Sequence, residues 1–266
     1  MTPRLQAIRV SKRFRGGRRG DGVLALEAFS LEVEGGEFLA IVGPSGCGKS
    51  TFLNVVAGLE TLDEGTVLMD GRPIGGPGPD RGMCFQEFAL FPWLTVRENV
   101  EFGLEAKALP KAERARIART YVDLVHLRGF EDRYPYELSG GMKQRCALAR
   151  LLAIDPAIFL MDEPLASLDA QTRLILQGEI LRIWGEERPA RERKTVIFVT
   201  HSIDEAVFLS DRIVVMTARP GQVKEIVANP LPRPRDDALR GDPRFARMSL
   251  EIWDLVREAA RRAIEG

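Results

Sequence analysis

Gly43-Pro44-Ser45-Gly46-Cys47-Gly48-Lys49-Ser50 is the stretch that decides how this chain folds. Residues 38–42 ahead of it form an uninterrupted apolar run, and residues 49–59 behind it repeat at helical spacing, so a glycine-rich turn joins a buried strand to a helix. The glycines let the backbone curl until successive N–H groups face one concavity. The helix start adds the positive end of its dipole. Such a cradle takes phosphate groups. Gly43, Pro44, Ser45, Gly46, Cys47 and Gly48 form its wall, Lys49 reaches the β and γ phosphates of a nucleotide, the Ser50 hydroxyl ligates Mg²⁺, and Thr51 follows in the same helical turn. Cys47 admits a second reading as a redox-sensitive thiol, because a helix N-terminus lowers a thiol pKa. Backbone geometry alone accounts for its position equally well.

The chain around this loop has 266 residues, 45% of them apolar, with 38 Lys plus Arg against 38 Asp plus Glu. That length and composition suit one large α/β domain or a core with an inserted subdomain, and they exclude disordered chains and small disulfide scaffolds. A net charge of zero argues against a protein whose main task is coating nucleic acid or an anionic membrane. Cys47, Cys84 and Cys146 contain no CxxC pair, which speaks against a disulfide framework and a zinc site and makes the cytosol the expected compartment. The first ten residues lack the apolar run of a signal peptide. No segment approaches the roughly 18 apolar residues of a membrane span, so membrane contact is expected through a partner.

The N-terminal fifth reads as β-rich: residues 5–10, an alternating stretch at 29–33, the run 38–42, and a strand at 66–69 entering a hairpin at Asp70-Gly71. Residues 88–155 read as an inserted helical subdomain, with helices near 96–105, 111–127 and 141–153 and His126 as an ordinary helix residue. The βα rhythm then returns with strands at 157–161, 195–200 and 212–217 and helices at 170–184 and 203–209. Continuous apolar strands point to a mostly parallel sheet covered on both faces. Residues 1–228 form the expected main domain. Residues 229–243, with four prolines, read as an extended surface linker to a last amphipathic helix, in which Ile252, Leu255, Val256, Ala259 and Ala263 oppose Arg257, Glu258, Arg261 and Arg262. That helix packs on its own domain or, as the second reading, lies on a membrane surface.

Two further motifs carry chemistry. Ile158-Phe159-Leu160-Met161-Asp162-Glu163 places two carboxylates at the C-terminal end of a buried strand, where open α/β sheets bind ligands. Taken alone, such a pair is more often a solvated loop. Beside a phosphate loop, Asp162 suits Mg²⁺ and Glu163 suits a base for water attacking the γ-phosphate. Leu138-Ser139-Gly140-Gly141-Met142-Lys143-Gln144-Arg145 puts a hydroxyl and two glycines ahead of a helix, a second potential anion site. One nucleotide needs one such loop, so the second makes sense facing a nucleotide held by another copy of the chain in a C₂ dimer.

The phosphate loop, Gln86 in Met83-Cys84-Phe85-Gln86, the 138–144 signature, Asp162-Glu163, Ser167-Leu168-Asp169 and Thr200-His201 occur in the order seen in the ATP-binding subunits of ABC transporters. The resemblance covers nearly the whole chain. Residues 76–86 and 91–96 look like the importer group that serves nitrate, sulfonates, taurine and related solutes. The fold it implies is the P-loop NTPase core of an ABC ATPase, mostly parallel, with an N-terminal antiparallel β part and the inserted helical subdomain. It implies ATP and Mg²⁺ as ligands, a transmembrane permease and a second copy of the chain as partners, and a solute-binding protein as an indirect one. The implied location is the cytoplasmic face of the inner membrane.

The same resemblance assigns further roles. Phe14 stacks on adenine, and Gln86 contacts Mg²⁺ or the attacking water. His201 hydrogen-bonds the γ-phosphate. Ser139, Gly140, Gly141 and Gln144 close over the nucleotide of the opposite subunit, and Asp169 couples the two sites. Leu165-Ala166-Ser167 stands where Phe-Gly-Ala is common, and Ser202 where Asp is common, which bears on coupling between subunits. A rival class is an ABC ATPase acting on nucleic acid or ribosomes. The basic stretch 4–19 gives it a foothold, although a solvated loop explains that stretch as well and such proteins carry coiled-coil insertions or two fused cassettes. A GTPase or small-molecule kinase would share the loop yet need neither Gln86 nor residues 138–142.

Overall fold

The structure is a computed structural model that describes residues 3–15 and 22–265. In chain order its elements are β1 (Leu5–Phe14), β2 (Val23–Val33), β3 (Phe38–Val42), α1 (Lys49–Ala57), β4 (Glu64–Met69), β5 (Arg72–Pro73), β6 (Arg81–Cys84), α2 (Val96–Ala106), α3 (Lys111–Leu124), α4 (Gly140–Ile154), β7 (Ile158–Asp162), α5 (Ala170–Trp184), β8 (Thr195–Val199), α6 (Ile203–Leu209), β9 (Arg212–Met216), β10 (Val223–Ala228) and α7 (Pro243–Glu265). They fall into two compact units. The first comprises Met1–Gly78 with Leu181–Gly266, the second Pro79–Ile180, so α5 begins in one and ends in the other.

In the first unit β3 runs parallel to β8 on one side and to β9 on the other, and β10 closes antiparallel on β9. Every residue of β3 and β8 is buried, which is why both read as continuous apolar runs. Phe38 anchors this layer, edge-on to Trp184 at 5.7 Å and tilted against Phe198 at 5.8 Å. The antiparallel part is a separate sheet in the order β2-β1-β4-β5. Asp70 and Gly71, both at positive φ, make its two-residue turn between Met69 and Arg72.

Residues 229–243 are anchored along much of their length, which corrects the expectation of a surface linker. Arg235 is buried and donates to the carbonyls of Val207, Phe208 and Ser210, the last turn of α6 and its cap. Arg233 reaches Glu186 at 2.6 Å and Asp211 at 2.8 Å. The carbonyls that end α6 need donors, and these guanidinium groups supply them. Burial and the neighbouring Arg233 push the Arg235 pKa down to about 10. Beyond this strap α7 buries Phe245, Met248, Ile252 and Ala259 within the first unit, so the reading in which it packs on its own domain describes it.

In the second unit β6 pairs parallel with β7, Arg81 opposite Ile158 through Cys84 opposite Met161. Helices α2, α3 and α4 pack on one another and carry the inserted segment. Helix α3 stops at Leu124, earlier than the apolar pattern suggests, and His126 sits beyond it at φ 55°. His126 is therefore a turn residue whose carbonyl accepts from Arg145. Among the described residues no helix is long and apolar enough to cross a membrane.

Candidate nucleotide site

The phosphate loop leaves the C-terminal end of β3 and enters α1 through Gly48, which caps the helix at φ 100°. A Cβ on Gly48 would stand 2.7 Å from the Ala25 carbonyl oxygen, so both the dihedral and the space call for glycine. No side chain caps the start of α1, which leaves its first N–H groups to the cradle. Lys49 is buried, only 5% exposed, and its ammonium donates to Gly43 O at 2.9 Å and Pro44 O at 3.0 Å. The cation is thus stored inside the loop that a phosphate would enter. Pro44, Ser50 and Thr51 are half-buried, while Ser45 and Gly46 are exposed.

Cys47 is fully buried with Lys49 Nζ 3.7 Å from its sulfur. Burial raises its pKa and outweighs the lowering by Lys49, so the redox reading is corrected: the low-pKa, accessible thiol that a sensor needs is not what this position presents. Phe14, at the end of β1 in the same unit, is 38% exposed with Lys12 Nζ 5.2 Å from its ring centre. His201 follows β8 and is exposed. The next residue, Ser202, caps α6 by accepting from Glu205 N–H at 3.3 Å, a task that serine and aspartate share.

In the second unit the parallel pairing of β6 and β7 brings two sequence-distant side chains together. Gln86 Nε2 donates to Glu163 Oε2 at 3.4 Å across 77 positions of chain. Asp162 ends β7 at 4% exposure, and Glu163 follows at φ 49° and 9% exposure. A left-handed non-glycine residue after a strand turns its side chain out of the strand's alternation, a form of strain that collects at functional sites.

Ser139 caps α4, its hydroxyl accepting from Met142 N–H at 3.3 Å. Gly140 is exposed, with nothing within 4 Å of where its Cβ would be, and Gly141 lies against the Ser167 carbonyl. Gln144 differs from these three. It is 1% exposed and its amide donates to Cys84 Sγ at 3.9 Å, so it ties α4 to β6 from within and does not present itself to another subunit. The expectation for Gln144 is corrected accordingly: four residues into the helix, it lies on the face that the helix buries. Asp169 is exposed and caps α5, accepting from Thr172 N–H at 2.9 Å and Thr172 Oγ1 at 2.7 Å. These bonds hold its carboxyl below the usual range.

Sequence reasoning passed over Arg219, whose guanidinium donates to the Gly46 carbonyl at 3.3 Å. No local pattern marks it, because the contact is made across 173 positions.

A strand, a phosphate loop and an uncapped helix in one unit, with a glutamine and glutamate paired at parallel strand ends in the other, define the class of P-loop nucleotide-hydrolysing proteins. Comparison with known proteins narrows the class. Residues 26–166 match the sequence model of the ABC transporter family. An uncharacterized ABC transporter ATP-binding protein of Methanocaldococcus jannaschii is 54% identical over 246 residues, 92% of this chain and 89% of that one. The nitrate import ATP-binding protein NrtD of Synechocystis is 44% identical over 247 residues, 91% of each chain. The taurine import ATP-binding protein TauB of Roseobacter denitrificans is 48% identical, covering 77% of this chain and 74% of its own. Among solved structures, the dimeric ATP-binding cassette MJ0796 in a post-hydrolysis state with ADP and Pi superposes with a TM-score of 0.76. It is 34% identical, with 84% of this chain and 98% of that chain covered. This chain belongs to the ABC transporter family, as an ATP-binding subunit.

Proposed function

We propose that this chain hydrolyses ATP to drive an ABC importer for a small anion such as nitrate, a sulfonate or taurine, dimerising around two ATP molecules and separating after hydrolysis. The observation that carries the reading is the Lys49 ammonium held inside the phosphate loop on the carbonyls of Gly43 and Pro44. A buried cation in a ring of backbone groups can exchange those carbonyls for phosphate oxygens with little rearrangement. Relatives named for nitrate, taurine and aliphatic sulfonate import support the solute class.

Each residue then has a task. Gly43 to Gly48 and the start of α1, with Ser50 and Thr51, direct backbone and hydroxyl donors at the phosphates, and Lys49 neutralises charge on the β and γ groups. Phe14 offers an exposed face to adenine. Glu163 accepts the proton of the attacking water, Gln86 orients that carboxylate or the water, and His201 donates to the γ-phosphate. Ser139, Gly140 and Gly141 serve the nucleotide of the second copy, and Asp169, through its turn, relays between sites. Ser50, Gln86 and Asp162 would hold Mg²⁺. A hydroxyl, an amide oxygen and a buried carboxylate are all hard oxygen donors, the chemistry this ion prefers. When bound it draws charge from the β and γ phosphates.

Permease docking falls to the second unit in this reading. Trp93 is 70% exposed, and Phe91 packs against Trp93 and Phe102 at 5.7 and 4.3 Å, an exposed aromatic group of the kind enriched at protein interfaces. Association at the cytoplasmic face of the membrane would follow from that docking. The nucleic-acid alternative gains little from the described part of the basic stretch, where Arg4 pairs with Asp70 and Lys12 with Glu60; residues 16–21 lie outside the described residues. The test is purification from membranes. A multi-span permease is expected to co-purify, and the cognate solute, with its binding protein, to stimulate hydrolysis in proteoliposomes. Recovery with ribosomes or nucleic acid and no permease would overturn it.

A further inference from the structure

The turn between β9 and β10, Thr217 to Gln222, lies against the phosphate loop. Arg219 Nε donates to the Gly46 carbonyl at 3.3 Å, and its Nη2 stands 3.0 Å from the place a Gly46 Cβ would take. A Cβ on Gly221 would run into the Cys47 carbonyl oxygen. Gly221 is itself pinned, donating to Ala25 O at 2.9 Å and accepting from Glu27 N–H at 3.2 Å. The turn holds its own shape as well: Thr217 Oγ1 donates to Pro220 O at 2.9 Å and accepts from Gln222 N–H at 2.9 Å, and Gln222 Nε2 donates to Glu27 at 2.7 Å.

We propose that Arg219 and Gly221 form a strap that fixes the phosphate loop in its nucleotide-binding shape, with Arg219 a positioning residue for nucleotide affinity. A planar trans peptide keeps each C=O antiparallel to the next N–H. The Gly46 carbonyl bonded to Arg219, and the Cys47 carbonyl packed close against Gly221, therefore turn the N–H groups of Cys47 and Gly48 the other way. The first of these closes the loop's turn on Pro44 O at 3.3 Å. The second stands at the uncapped start of α1, free in this reading to serve the phosphates. A loop already held in this shape loses less freedom when it binds, and the guanidinium adds positive charge beside the place where phosphates gather. Because Arg219 is exposed, its removal leaves the core packing intact.

The inference rests on the loop being the nucleotide site, and the experiment separates the two claims. Binding of the fluorescent nucleotide mant-ADP to the full chain is titrated for wild type, Arg219→Ala, Arg219→Lys, Gly221→Ala and, as control, Lys49→Ala, beside melting temperatures without nucleotide. Expected for Arg219→Ala is an affinity lower by about tenfold at an unchanged melting temperature, largely recovered in Arg219→Lys. A larger loss is expected for Gly221→Ala, and if that variant does not fold, the Arg219 pair decides. Arg219→Ala binding within about twofold of wild type while Lys49→Ala is impaired would overturn the strap alone. A lowered melting temperature that lysine does not restore would also overturn it, as a purely structural contact. Normal binding by Lys49→Ala would overturn the nucleotide site and the strap with it.

Discussion

At the scale of single residues the three thiols are an instructive group, because each lies beside chemistry and none is prepared for chemistry of its own. Cys84 sits at the end of β6, Cys146 in α4 and Cys47 in the phosphate loop, and all three are buried. Burial pushes Cys84 and Cys146 up to about 12 and raises Cys47 against the opposing charge of Lys49. A raised thiol pKa means less thiolate at any pH below it, hence slower reaction with disulfide reagents. At about pH 8, below these raised values, the native chain is expected to react with Ellman's reagent at all three cysteines only as fast as it unfolds, and fully once denatured. A thiol that titrates within seconds in the folded chain would contradict this account of Cys47. The turn of the loop into α1 could be read from spacing alone. The burial that silences Cys47 could not, since it depends on how the folded loop packs its sulfur beside Gly43.

At the scale of elements one cap sets the start of α2 in the second unit. Thr95 and Glu98 form a reciprocal capping box at the start of α2: Thr95 Oγ1 accepts from Glu98 N–H at 3.3 Å, and Glu98 Oε2 accepts from Thr95 N–H at 2.8 Å. Asn99, one turn on, is buried and ties the carbonyls of Phe91, Leu94 and Thr95 to the helix. The box therefore fixes the loop that presents Trp93. Thr95→Ala is expected to cost about 1 kcal/mol, a fall in melting temperature of about 2 to 4 °C for a chain of this size. An unchanged melting temperature would show that the cap does not bear on stability.

Elements with strong patterns are legible in the amino-acid order alone. The bounds of β3, α5 and α6 coincide with the apolar run and the helical periods that mark them. Two strands escaped. β6 has four residues, Arg-Gly-Met-Cys, too short and too mixed for any period, and β10 is half-exposed and charged at Lys224 and Glu225. The loss of β6 mattered, because the meeting of Gln86 with Glu163 depends on its pairing with β7. Motif order could name both residues, yet only that register brings them within reach. Residues 229–243 misled for the opposite reason: prolines and charges are the composition of a linker, and nothing local reveals that Arg233 and Arg235 end another helix.

At the scale of the molecule, the balance of 38 basic and 38 acidic residues takes on a physical meaning. In the proposed function the anion site is made of backbone N–H groups and one stored lysine, which needs no surplus of surface charge. The proposed partner contact is an exposed aromatic group, by which a neutral chain without a spanning helix among its described residues would work at a membrane. At the centre stands the proposed reaction, ATP hydrolysis with Glu163 as its base. Its decisive check is the Glu163→Gln variant, compared with wild type for steady-state phosphate release, ATP binding and dimer formation in ATP. Phosphate release is predicted to fall by about a hundredfold or more, with ATP still bound and the variant trapped as a dimer. Turnover near that of the wild type would contradict it.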